Sequence, residues 1–189
     1  MLKFAKFIGA NTDFSTAQAY LFPRVFSDDL LEPVFGLVIS GEGEDIFIYV
    51  RQKVLNMEDR FSAPFERVTE KLHELSESIK LEFTKVENLK FTLFCAKENV
   101  FYVLQSGNNV VEIFREERAA PVVEGDNLQE KVVSGFLQPR DRVLVLSAKP
   151  GTDASWDREV RDQVFNLPLD NTDDAELIFA SNELKTENQ

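Results

Sequence analysis

Val34-Phe35-Gly36-Leu37-Val38-Ile39-Ser40-Gly41-Glu42-Gly43-Glu44 is the stretch on which the reading of this chain turns. It begins as a short, continuous, partly β-branched apolar run, the composition of a strand covered on both faces. Gly41 and Gly43 then supply a turn, and acids follow. Downstream, Phe47, Val50, Val54 and Met57 recur at intervals of three and four, which lines up one side of a helix. The expectation is a buried central strand that passes through a glycine turn into an amphipathic helix.

Outward from that stretch the hydrophobic period changes several times. Ser62 precedes Pro64, a capping residue before a proline suited to a first helical turn, and Phe65, Val68, Leu72, Leu75 and Ile79 continue a helical stripe. Both helices are expected on the same sheet. From Leu89 onward the chain switches to strands at 91–96, 100–104 and 110–114, and later at 142–147 and 176–180. The joints Lys97-Glu98-Asn99 and Gly107-Asn108-Asn109 carry residues that tolerate positive φ, so the first three strands read as an antiparallel meander. Trp156, Val160 and Val164 suggest a helix over 155–165, and 116–129 reads as a long loop. This order fits an α+β layered fold with helices covering an antiparallel sheet system.

A chain of 189 residues with 43% hydrophobic content is long enough for one sizeable core, so 1–181 is read as a single domain and 182–189 as a polar tail. The 33 acidic residues outnumber the 21 basic ones, and the formal net charge of -12 weighs against duplex nucleic acid and anionic membrane surfaces. Cys95 is the single cysteine and lies in the apolar run 91–96, which leaves no internal disulfide and favours a reducing cytoplasm. Met1 to Ile8, with two lysines, has no secretory pattern, and no apolar run approaches the ~18 residues of a membrane helix.

Few residues carry chemistry. His73, the lone histidine, falls off the stripe of Val68, Leu72 and Leu75 and reads as a surface residue. Cys95 reads as a small buried hydrophobe, so a nucleophilic triad has little to draw on. No Gly-x-x-x-x-Gly-Lys-Ser/Thr occurs, and the acids around Gly41 and Gly43 would repel phosphate. The 17 phenylalanines read as core filler rather than as a platform for bases.

Several stretches together resemble one family. Residues 35–44 look like a segment in which a strand ends in Asp-Gly-His-Gly-Gly and runs into a helix. Residues 102–115 are similar to that family's strand, Gly-Asp-Ser-Arg turn and returning strand. Residues 134–147 resemble its stretch before an Asp-Gly turn, here Ser147-Ala148-Lys149-Pro150, and Asp170-Asn171 resembles its closing Asp-Asn. Asn11-Thr12-Asp13 is a fainter echo of an early Asn-Glu-Asp. The family is the metal-dependent serine/threonine phosphatases of type 2C, or PPM type, and the likeness is to its degenerate bacterial members.

That resemblance implies a four-layer α-β-β-α sandwich of antiparallel sheets flanked by helices. It also implies a pair of Mg²⁺ or Mn²⁺ ions held by aspartates, with a bridging water as nucleophile. Carried over residue by residue, the first metal-holding aspartate falls on Ser40, beside Gly41 and Glu42, and the second on Asn108. The third Asp-Gly falls on Lys149-Pro150, and Asp170, followed by Asn171, alone keeps its carboxylate. No catalytic residue and no metal or other cofactor is therefore expected, and Mg²⁺ or Mn²⁺ only if the protein is active.

The resemblance thus implies a catalytically inactive pseudophosphatase, a binding or regulatory module that engages a protein partner, without nucleic acid or membrane insertion. The alternative is a weak or altered phosphoprotein phosphatase that rebuilds a single-cation site from Glu42, Glu44, Asp45 and Asp170. Lys149 is expected within a few ångströms of Asp170 or Asn108, where an ion would otherwise sit. Plainer readings stand beside these. Gly41, Gly43 and Gly107 serve as turn formers, acids at a helix start favour its positive end, and Asp170, Asp173 and Asp174 form a solvated loop.

Overall fold

The computed structural model describes residues 3–7, 12–23, 32–107, 109–116, 118–122, 130–146 and 176–180. In chain order the elements are β1 (Lys3–Phe7), β2 (Ser15–Phe22), β3 (Val34–Glu42), α1 (Ile46–Asn56), α2 (Glu58–Ser62), α3 (Val68–Glu82), β4 (Glu87–Lys97), β5 (Val100–Ser106), β6 (Val110–Arg115), β7 (Arg118–Pro121), β8 (Val133–Phe136), β9 (Arg142–Leu146) and β10 (Glu176–Ala180). They build two five-stranded sheets, ordered β2-β3-β4-β5-β8 and β1-β10-β9-β6-β7. Mixed α and β structure with layered sheets is as the sequence implied.

The central strand behaves as its composition dictates, since alternate residues of β3 leave on opposite faces. Phe35, Leu37 and Ile39, with Phe91, Leu93 and Cys95 of β4, pack against Val50, Val54, Leu72, Leu75 and Ile79 of the helices. Val38, Phe94, Ala96 and Val103 pack the other way, against Val111, Val143 and Val145 of the second sheet. Gly36 leaves room for the ring of Phe94, its partner on β4, to lie across β3, because a Cβ there would lie 1.7 Å from Phe94 Cζ. Helix, sheet and sheet are thus three successive layers. The expected helix over 155–165 lies outside the described residues, as does the tail 182–189.

The helical stripes hold with two corrections. Ile46 rather than Phe47 leads the buried side of α1, with Val50, Val54 and Met57, and Phe47 is partly exposed. Ser62 does not start the next helix; it ends α2, where its Oγ donates to the Glu58 carbonyl at 3.2 Å. Ala63 is extended, as a residue before proline prefers, and α3 starts only at Val68. Glu82 ties the three helices together. It accepts from Lys53 Nζ at 3.0 Å and Arg60 Nη2 at 3.1 Å, and its carbonyl accepts from Tyr49 Oη at 2.9 Å. The Lys53 hydrogen bond and charge are the main reason its carboxyl lies below the ordinary carboxylate value.

The meander is corrected after its first turn. β4 and β5 form the expected hairpin, with Glu98 at positive φ. β5 is then bonded on its other edge by β8, through pairs from Val100 with Phe136 to Val103 with Val133, so β6 finds no edge there. At Gly107, φ 95°, the chain crosses into the second sheet, where β6 pairs with β7 and β9.

The second sheet is also not purely antiparallel, because β1, β10 and β9 run parallel. A parallel neighbour needs a crossover of a dozen or more residues, and 147–175 separates β9 from β10. Part of the expected loop 116–129 is strand β7. Arg115 clamps the turn before β9 with two bonds to Asp141, at 2.8 and 2.6 Å, and a third to the Phe136 carbonyl at 3.1 Å.

Candidate functional site

Ser40 lies near the end of β3, where the strand leaves the inter-sheet layer. Its side shares the face of Val38, so it points between the sheets, and it is buried. It pairs with Ala17 of β2 on one side and with Lys90 of β4 on the other. Lys90 and Thr92 follow the same alternation down β4, and Gln105 of β5 pairs with Thr92. From the second sheet Asn109, just before β6, donates its Nδ2 to Thr92 Oγ1 at 2.8 Å, a buried bond that joins the sheets.

Hydroxyls, amides and a lysine therefore collect at one end of an otherwise apolar layer. Gln105 Oε1 is fully buried and has no hydrogen-bond partner among the described residues. A buried acceptor left unmade costs about 1–3 kcal/mol, so this end of the layer is not optimised for stability alone.

Close backbone packing shapes the turn. Between Ser40 and Glu42 the register slips, and a Cβ on Gly41 would meet Val86 Cγ1 at 2.1 Å and the Glu87 carbonyl at 3.2 Å. The methylenes of Lys90 lie beneath Gly107, where a Cβ would meet Lys90 Cγ at 2.6 Å. The β3 end and the Gly107 crossing, two of the segments singled out in the sequence, are thus brought together through β4. The third begins nearby, since Leu146 at the end of β9 pairs with Val110. Asn108, Lys149, Asp170 and Asn171 themselves lie outside the described residues, and with them the expected placement of Lys149.

The acids after Ser40 do not converge. Glu42 Oε2 accepts from Asn88 Nδ2 at 3.0 Å, while Glu44 and Asp45 are exposed at the start of α1. Among the described residues no three His, Cys, Asp or Glu side chains gather as metal ligands. Mg²⁺ and Mn²⁺ take anionic oxygens in near-octahedral sets, and a serine hydroxyl, neutral amides and a lysine do not fit that demand. The described part of this site does not suit a binuclear centre.

Lys90, Thr92 and Gln105 were missed in the sequence. Their signal was there: polar residues at every second position of an apolar strand mark a face that changes character. His73 is exposed and Cys95 is buried, both as expected. Burial pushes the Cys95 thiol up to about 12, which leaves it unreactive. Among the described residues no helix is long and apolar enough to cross a membrane.

No family model matches this sequence, and no curated protein does. Among solved structures the chain is similar to the phosphatase domain of the cell fate determinant SpoIIE from Bacillus subtilis, in a crystal form without domain swapping. That likeness has 12% identity and a TM-score of 0.48, and covers 87% of this chain and 74% of the other. At such values it decides neither family nor activity.

Proposed function

We propose that this protein is a degenerate PPM-type phosphatase-like domain, catalytically inactive, that works as a binding or regulatory module for a protein partner. The observation that carries this reading is Ser40. A neutral hydroxyl stands where the family's strand would present its metal-holding aspartate, and its register neighbour is Lys90 rather than a second acid. A lysine on the neighbouring strand adds no anionic oxygen for a hard dication to bind. The neutral Thr92 and Asn109 pair likewise adds no carboxylate to this end of the layer.

Calorimetric titration with Mn²⁺, run beside hydrolysis of a generic phosphoester, tests the reading. The expected result is no binding heat and no turnover. Tight Mn²⁺ binding with turnover that disappears in Asp170→Ala would establish instead the altered phosphatase with a rebuilt single-cation site.

A further inference from the structure

The outward side of α1 carries apolar residues that the fold does not use. Ile48 is 56% exposed and Leu55 39%, one heptad apart on the side opposite Ile46, Val50 and Val54. Ile48 also lines an open cleft of about 320 Å³ with Glu44, Asp45, Tyr49, Gln52 and Lys85. Met57 separates α1 from α2 as a single turn residue, and its carbonyl accepts from Phe61 N. From the turn before α1 into α2 the exposed residues include, in order, Glu44 and Asp45, Ile48, Arg51 and Gln52, Leu55, and Asp59.

We propose that this face docks a basic, amphipathic helical segment of a partner protein. Its occupant would present two apolar side chains one heptad apart, with a lysine or arginine about a turn beyond each. Charge excludes the other occupants. A second copy laid antiparallel, with Ile48 on Leu55, sets Asp45 against Glu58 and Glu44 against Asp59. A parallel copy sets each acid against itself, and like charges at such distances are destabilising. An anionic lipid surface meets the same acids. The proposal concerns the outer face of α1, which begins just after the Gly41–Gly43 turn, and does not rest on the inactivity proposed for the inter-sheet end.

A fluorescently labelled synthetic helix, with two leucines seven positions apart and lysines a turn beyond each, is titrated against the full chain by anisotropy. Binding is expected, weakened by salt, and roughly tenfold weaker both for Ile48→Ser with Leu55→Ser and for Glu44→Lys with Asp59→Lys. All four positions are on the surface, and circular dichroism confirms that the variants fold. Glu66→Lys, elsewhere on the helical layer, is expected to leave affinity unchanged. Equal affinity across all variants, no binding to the wild-type chain, or equal binding of a peptide with glutamates for lysines overturns the proposal. So does a dimer in sedimentation that Ile48→Ser with Leu55→Ser dissolves, or capture by anionic phospholipid vesicles that the same change abolishes.

Discussion

The two faces of the β3–β4 pair differ by one residue of offset and by everything else. On the helix side Phe35, Leu37 and Ile39 meet Phe91, Leu93 and Cys95 in an unbroken apolar surface. On the sheet side Val38, Phe94 and Ala96 give way to Ser40, Lys90 and Thr92 toward one end. The same two strands thus carry an unbroken apolar face and a face that turns polar toward one end. The second kind of face is where a binding function is to be sought, because stability does not require it.

Truncation on the helix side should give the largest effect. Leu93 is fully buried, so Leu93→Ala is expected to lower unfolding free energy in urea by about 2–5 kcal/mol. A loss under 1 kcal/mol would show that this face is not the tighter one. On the other face the sign should reverse. Gln105→Leu replaces the buried Oε1, which has no partner among the described residues, with apolar surface and is expected to raise stability by about 1 kcal/mol. Destabilisation there would mean that Gln105 has a donor to satisfy, and the contrast between the faces would weaken.

The smallest effect concerns the charge latch over the helix side. The Glu82 carboxyl is held low by Lys53, so its contribution to stability is present above the ordinary carboxylate value and is lost as pH falls through the lowered one. Thermal melts should therefore separate the native chain from Glu82→Gln near neutrality and converge on the acid side of about pH 4. A gap that persists or widens in acid would show that the latch acts through packing rather than charge.

Local patterns in the sequence were enough for the strand at 34–39, the helical stripes and the hairpin at Glu98. Each depends on residues a few positions apart. Where partners are distant in the chain, the pattern was silent. Val110 to Phe114 alternates equally well as the third strand of a hairpin or as a strand of another sheet, and only β8 occupying the edge of β5 decides it. The parallel arrangement of β1, β10 and β9 likewise has no local signature, and Lys3–Phe7 was not recognised as a strand. Ser40 was legible as a position because a glycine turn follows it. Lys90 and Gln105 join it only through strand register.

Lys3–Phe7 pairs with Glu176–Ala180, a strand far downstream of it in the chain. β9 therefore gains its second neighbour only once Glu176–Ala180 has been made, and until then one of its hydrogen-bonding edges stays unsatisfied. The sheet with β3 at its heart needs nothing past Phe136. Its assembly can precede closure of the other by some forty codons, so the nascent chain carries one finished sheet and one unfinished edge exposed to unwanted strand pairing.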